Sequence, residues 1–325
     1  MASLSSINLQ SLLAATLMSA GLGIAIAHPS HAHGPHHSHS TDTQVAEAAP
    51  QPVTFTVQQV RDNVYVISGS NGAGNVGVLM GDVGPILIDS QMPGLGSDLN
   101  DVIMNEFNRR PTMVINTHWH FDHTGGNEFF GANGMAIVAH TNARDRMERG
   151  QVIEPLDITI DPAPAAALPA VTYTESMTFH VNGDTTQLFH VGNAHTDGDA
   201  IVHFQKANVI HTGDVVFNEL YPFIDLSSGG SINGMIAAVE QILAVTNEDT
   251  KIIPGHGPLM DREGLLEYYT LLTTVRDRME AAIAQGHSLE KVLEMKLNAD
   301  YDETHGNAFL SPEQFATILY HDLSR

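Results

Sequence analysis

Asn116-Thr117-His118-Trp119-His120-Phe121-Asp122-His123-Thr124-Gly125-Gly126-Asn127 is the stretch around which the chain is organised. Four potential metal ligands fall within six residues, directly after the apolar run Met113-Val114-Ile115. Alternate residues at the end of a strand share a face, so His118 and His120 can reach one ion. The chain then turns, and Asp122 and His123 can point at a second site beside it. Imidazole with carboxylate suits zinc best, with iron or manganese as the other choices. A polar loop merely rich in histidine would need no partners downstream, yet three later segments supply further ligands. His195 stands in Gly192-Asn193-Ala194-His195-Thr196-Asp197-Gly198-Asp199, Asp214 in Val209-Ile210-His211-Thr212-Gly213-Asp214, and His256 in Ile252-Ile253-Pro254-Gly255-His256-Gly257.

His-x-His-x-Asp-His after a strand, followed in order by those three ligands, resembles the signature of the metallo-β-lactamase-fold superfamily. The resemblance covers roughly residues 53–260. It implies an α/β fold, an αβ/βα sandwich of two mixed sheets with outer helices. It also implies that His118, His120 and His195 bind a first metal, that Asp122, His123 and His256 bind a second, and that Asp214 bridges them. Two zinc ions per chain, about 3.5–4 Å apart, would share one hydroxide and hold its pKa near neutrality. Asp122 would orient that nucleophile as the catalytic carboxylate, and the chemistry would be hydrolysis. In the family an aspartate at the end of the strand Pro85-Ile86-Leu87-Ile88-Asp89 supports the metal loop from behind, and Asp89 fits that place.

Outside the ligands, Val53-Thr54-Phe55-Thr56-Val57 and Val64-Tyr65-Val66-Ile67 alternate, predicting antiparallel strands joined near Asp62-Asn63. Asn71-Gly72-Ala73-Gly74-Asn75-Val76-Gly77 lacks a following Gly-Lys-Ser/Thr and reads as a plain hairpin turn, although family members often carry a mobile flap here. Residues 97–110 have helical spacing with Ser97 as N-cap. A strand over 136–139, a helix over 141–149 and a connecting loop over 161–169 follow. Strands dominate 171–216, a helix covers 231–246, and Lys251-Ile252-Ile253-Pro254 leads to the last ligand. Helices over 265–285 and 289–295, and one opened by the capping box of Ser311-Pro312-Glu313-Gln314, cover a sheet or mediate assembly. His180, His190, His203 and His211 read as packing or surface residues, His140 as a supporting residue at most, and Trp119 as packing.

The chain has 325 residues, with 14 Lys+Arg against 37 Asp+Glu and a formal charge of −23. Such a surface repels phosphate backbones and anionic lipid, which argues against nucleic acid as a partner. Residues 1–27 read as an export signal with an A-x-A site at Ala25-Ile26-Ala27, placing the protein in the periplasm or outside the cell. No basic residue precedes the apolar region, so an uncleaved membrane anchor is the alternative. The chain has no cysteine, which excludes both lipoprotein attachment and a disulfide framework. Residues 28–52, with six histidines between His28 and His39, read as a disordered linker able to hold zinc loosely. The catalytic domain then spans 53–260, with C-terminal helices over 261–325 packed on it.

No cation follows Asp214 in Val215-Val216-Phe217-Asn218-Glu219-Leu220-Tyr221-Pro222-Phe223-Ile224-Asp225, which counts against anionic substrates. True β-lactamases of the fold generally have cysteine, serine or histidine where Asp214 stands, and two of their subclasses present a lysine soon after. The aromatic run instead suggests an apolar pocket for a small neutral ester, lactone or amide, walled by Phe217, Tyr221 and Phe223. Tyr221 is placed to assist an oxyanion or to line that wall. β-Lactam hydrolysis is the main alternative. A mononuclear iron sulfur dioxygenase and a periplasmic zinc-buffering protein follow, and a phosphodiesterase is disfavoured by the acidic surface.

Overall fold

Two sheets place the ligand candidates on the connections that follow their strands. The computed structural model describes residues 52–325, so the export signal and all but the last residue of the His-rich linker lie outside the described residues. The alternating run Phe55–Arg61 (β1) turns back through Asp62, which takes a left-handed φ of 46°, into Val64–Gly69 (β2). Val76–Leu79 (β3) and Ile86–Ile88 (β4) continue the antiparallel meander. Helix Gly96–Phe107 (α1) then crosses to Met113–Ile115 (β5), which lies parallel to β4. After the single turn Phe121–Thr124 (α2) and helix Asn127–Ala132 (α3), Ala136–His140 (β6) adds another parallel strand.

Helix Thr141–Arg149 (α4) and a small hairpin of Gln151–Ile153 (β7) and Ile158–Ile160 (β8) precede Val171–Tyr173 (β9). This closes a seven-stranded sheet of order β1-β2-β3-β4-β5-β6-β9. The β7–β8 hairpin carries no long alternation and is not predicted by the sequence pattern. The expected N-cap at Ser97 is a correction: α1 starts one residue earlier, Leu95 holds the cap position, and no side chain caps it. Ser97 falls inside the first turn, where Asp98 complements the helix dipole instead.

The second sheet has six strands, Ser176–Val181 (β10), Asp184–His190 (β11), Ala200–Phe204 (β12), Val209–His211 (β13), Lys251–Ile253 (β14) and Met260–Asp261 (β15), in sequence order. Only the β13–β14 pair is parallel, and helix Ile232–Val245 (α5) makes that crossover. Ser231 caps α5 by accepting from Gly234 N. Arg262–Ala284 (α6), Leu289–Met295 (α7), Asp302–His305 (α8) and Pro312–Leu323 (α9) complete the chain, and α9 starts with the expected Ser311–Gln314 capping box.

Three apolar cores show the layering. Val66, Leu79, Ile88 and Val138 of the first sheet meet Leu188, Val202, Phe204 and Ile253 of the second between the sheets. Leu99, Ile103 and Phe130 of α1 and α3 cover the outer face of the first sheet. Val239, Leu272, Val275 and Phe315 of α5, α6 and α9 cover the outer face of the second, against Ile201, Ile210 and Ile252. The result is the αβ/βα sandwich, with one helical layer outside each sheet. Among the described residues no helix is long and apolar enough to cross a membrane.

Candidate metal centre

Parallel strands present their carboxyl ends on one side, and connecting loops there converge on a crevice. The loops after β4, β5, β13 and β14 carry Asp89, His118 to His123, Asp214 and His256, while the β11–β12 connection carries His195. One ligand atom each from His118, His120, His195 and Asp214 lies within 4.8 Å of the others, and the same holds for Asp122, His123 and His256. Asp214 stands between the groups. Its Oδ1 is 3.0 Å from His123 Nε2, and its Oδ2 is 3.3, 3.7 and 3.9 Å from Nε2 of His256, His195 and His118. Asp122 Oδ2 is 3.2 Å from His256 Nε2 and 3.6 Å from His123 Nε2.

Each imidazole is oriented from behind by an acceptor, which sets which nitrogen faces inward. His123 Nδ1 donates to Asp89 Oδ2 at 2.8 Å, His195 Nδ1 to the Phe223 carbonyl at 2.7 Å, and His256 Nδ1 to the Gly72 carbonyl at 3.0 Å. His118 Nδ1 lies 3.0 Å from Thr117 Oγ1, whose own proton goes to Asp89 Oδ2 at 2.8 Å. His120 is reversed: its Nε2 donates to Asp225 Oδ2 at 3.0 Å, and its Nδ1 faces His195 Nε2 at 2.8 Å. Lone pairs on five imidazoles therefore converge on two carboxylates.

The donor set fits metal. His118 Nε2 is buried without a hydrogen-bond partner, a costly arrangement unless a cation takes its lone pair. Charge points the same way. Burial pushes Asp214 up, but His123, His256 and His118 hold it well below the usual carboxylate range. Burial likewise raises Asp122, and His123 and His256 reverse this to about 2. Burial lowers His256, but Asp214 and Asp122 outweigh it and lift it to about 10. His195 stays low, at about 4, through burial and the neighbouring His120. Carboxylate charge that attracts protons to the Asp122, His123, His256 group attracts a metal cation equally.

Two glycines let backbone close on the ligands. A Cβ on Gly74 would lie 2.3 Å from Cε1 of His123, and one on Gly255 would lie 2.0 Å from Asp214 Oδ1. Asn75 ties the same loop to the last ligand, donating from N to Gly255 O at 2.8 Å and from Nδ2 to Gly257 O at 2.9 Å. The glycine-rich stretch is thus a hairpin turn in its backbone, and also a wall of the centre.

Of the predicted wall, two members of three reach the ligands. Phe217 stacks on His256 with centroids 5.4 Å apart, and Phe223 lies 6.0 Å from His120 and 5.8 Å from His195. Tyr221 is a correction. Its ring stacks on Phe315 at 4.5 Å and its hydroxyl donates to Asn298 O or Asp302 Oδ1, so it faces the C-terminal helices. Neither oxyanion assistance nor a wall role is open to it. Trp119 packs in the core and donates Nε1 to Ser228 Oγ. His140 makes no contact with the ligand set; it stacks on His190 at 4.0 Å and bonds Thr174 O. Asp225 is the residue sequence reasoning missed. Its Oδ1 also accepts from Ser227 N and Ser228 N, capping the turn Leu226–Ser228.

The family model described as Metallo-beta-lactamase superfamily matches residues 69–256. A Bacillus cereus protein named Metallo-beta-lactamase type 2 is 26% identical over 228 residues, spanning 67% of this chain and 83% of the relative. A solved metallo-beta-lactamase from Pontibacter korlensis superposes with a TM-score of 0.57 at 17% identity, over 68% of this chain and 99% of its own. A double mutant of a sec-alkyl sulfatase gives a TM-score of 0.63 at 15% identity, over 82% of this chain and 50% of its own. At such identities the two structures speak to fold alone. The family match spans more than half of the chain and both groups of ligand candidates, so the chain belongs to the metallo-beta-lactamase superfamily and is a metal-dependent hydrolase.

Proposed function

We propose that the protein is a dinuclear zinc hydrolase that cleaves an ester, lactone or amide bond in a mostly neutral substrate. The observation that carries this reading is the pair of ligand groups joined by Asp214, with aromatic rings and no cation on the flanking segment. His118, His120 and His195 would hold one zinc, Asp122, His123 and His256 the other, and Asp214 both. Bound there, zinc supplies Lewis acidity for a carbonyl and lowers the pKa of water towards about 7.

The chain's own groups supply the rest. Asp122, with its pKa at about 2, is a carboxylate at neutral pH and accepts rather than donates. Its side chain is 20% exposed against 5% for Asp214, so it is the carboxylate that an entering water meets first. It would orient that water by accepting a hydrogen bond from it. Phe217 and Phe223, both buried, back the imidazoles of His256 and of His120 and His195 with apolar rings that exclude bulk water. Asp89, Asp225 and the carbonyls of Gly72 and Phe223 hold the imidazoles in one tautomer each.

The A-x-A leader supports a periplasmic or secreted location, and the charge of −23 supports a small-molecule substrate over nucleic acid. β-Lactam hydrolysis is the second reading, favoured by the Bacillus cereus relative's name. The test is metal content together with hydrolysis of a lactone, a neutral aryl ester and a chromogenic cephalosporin. About two zincs per chain and faster lactone or ester cleavage are expected. Preferential cephalosporin cleavage replaces the first reading with the second. One iron without hydrolysis refutes both.

A further inference from the structure

The chain beyond the last ligand returns to the centre. Tyr221 N donates to His305 O at 3.1 Å, Leu310 is 2% exposed, and the Tyr221 hydroxyl reaches Asn298 and Asp302. These contacts fix the segment between α8 and α9 against the loop that follows Asp214. Phe309 lies on that segment and is 43% exposed. Its ring stands edge-on to Phe223, with centroids 6.0 Å apart at 88°. Phe223 is 3% exposed and flanks His120 and His195. Phe309 is therefore the solvent-facing ring of an aromatic stack whose buried member, Phe223, backs two imidazoles of the ligand set.

Two guanidinium groups border the segments that meet here, Arg278 on Leu297 O and Asp300 and Arg325 on Leu226 O, but the segments themselves carry no cation. Neither residues 207–250 nor residues 297–324 contain a lysine or arginine, whereas Glu219, Asp302 and Glu303 lie on the two segments. An apolar group would cover Phe309 ring surface otherwise left in water.

We propose that Phe309, held edge-on by the buried Phe223, is a specificity-determining residue whose exposed ring receives the apolar acyl chain of the substrate. The assignment rests on the reading of the site as one for neutral esters or lactones, and it places the acyl side at the His120 and His195 end.

The test uses the zinc-loaded full chain, the Phe309→Ala variant and the conservative Phe309→Leu variant. Dissociation constants are measured by calorimetry for straight-chain carboxylates from butanoate to decanoate, and kcat/KM for p-nitrophenyl esters from acetate to octanoate. Affinity in the wild type is expected to rise about two- to fourfold per added methylene. Phe309→Ala should flatten that rise and lower the octanoate-to-acetate ratio of kcat/KM, and Phe309→Leu should restore most of both. A carboxylate series flat in the wild type, or equally steep in Phe309→Ala, overturns the assignment. If no ester is turned over but Phe309→Ala still flattens the carboxylate series, the proposed reaction fails and the role of Phe309 stands.

Discussion

Asp225→Asn tests the geometry of the centre without changing its volume. Asp225 is fully buried, and its two oxygens have separate duties. Oδ1 accepts from Ser227 N at 3.0 Å and Ser228 N at 3.1 Å, and Oδ2 accepts from His120 Nε2 at 3.0 Å. An asparagine keeps one oxygen. If that oxygen serves the two backbone donors, an amide NH2 faces the His120 Nε2 proton, two donors at hydrogen-bond distance. His120 can escape only by moving its proton to Nδ1, the nitrogen that faces His195 and the ligand set. If the amide flips instead, both backbone N–H groups lose their acceptor, at about 1–3 kcal/mol each. Either outcome weakens the three-histidine group. Loss of a partner behind a metal-bound histidine costs about 10–100-fold in metal affinity, or about 1.4–2.7 kcal/mol. Zinc affinity, measured by competition with a chromophoric chelator, should fall within that range. Long-range nitrogen–proton NMR correlations should show the His120 tautomer altered or mixed. Unchanged affinity with an unchanged tautomer would refute the reasoning.

Asp122→Ala should lower kcat by at least about a hundredfold while circular dichroism and thermal unfolding show the fold intact; near-normal turnover would remove Asp122 from the mechanism. His120→Ala should likewise abolish turnover, accompanied by loss of zinc from the three-histidine group in metal analysis. Gly74→Ala places a Cβ 2.3 Å from the His123 ring, more than about 1 Å inside ordinary contact. It should lower bound zinc from about two per chain towards one, and full zinc content with full activity would show that the loop yields freely. For the metal-free protein, the Asp122 pKa is depressed from 3.8 to about 2, so its contribution to stability is present above pH 3.8 and lost as pH falls through about 2. The His256 pKa is raised from 6.5 to about 10, so its contribution is present below pH 6.5 and lost as pH rises through about 10. Unfolding temperature should therefore peak between pH 3.8 and 6.5; a continuous rise to pH 9 would contradict the ion pairing seen around Asp214.

The parts of the centre legible in sequence are those whose chemistry and position coincide along the chain. His118, His120, Asp122 and His123 sit in one turn, and His195, Asp214 and His256 each follow an apolar run that becomes strand. Strand direction alone then brings them to one end of the sandwich. Asp89 comes to lie behind His123 for the same reason, since β4 is the parallel neighbour of β5. What was not legible depends on contacts between distant segments. Asp225 is 105 residues from His120, and nothing local marks it as that histidine's partner. Tyr221 was misplaced because proximity to Phe223 in sequence implies one shared wall only in a regular strand. The chain there is irregular, and α9 brings Phe315 to the opposite face and captures the ring. The glycine-rich stretch was legible as a turn, but its docking on His123 and His256 required the second sheet to be in place.

The carboxylates divide into two kinds, and the division explains how so many charges share a buried site. Asp89 and Asp225 lie outside the imidazole layer, fully buried, and each accepts from a histidine and from backbone N–H groups. Those bonds belong to the fold, so they hold ring orientation before any ion arrives. Asp122 and Asp214 lie inside the layer, where the partners in reach are imidazole nitrogens. Burying them costs several kcal/mol each unless positive charge balances it. Protons on His123 and His256, both raised above the ordinary imidazole value by the carboxylates, provide that balance without metal, and a divalent cation provides it with more charge at a smaller radius. Metal uptake should then exchange protons for zinc, with the outer carboxylates unchanged and the inner ones acting as ligands. The layered charge also sets the direction of approach, because the outer pair is sealed and Asp122, with His256, is the part that solvent reaches. On the proposed reading a substrate would enter over Asp122, with the exposed ring of Phe309 open to its apolar remainder.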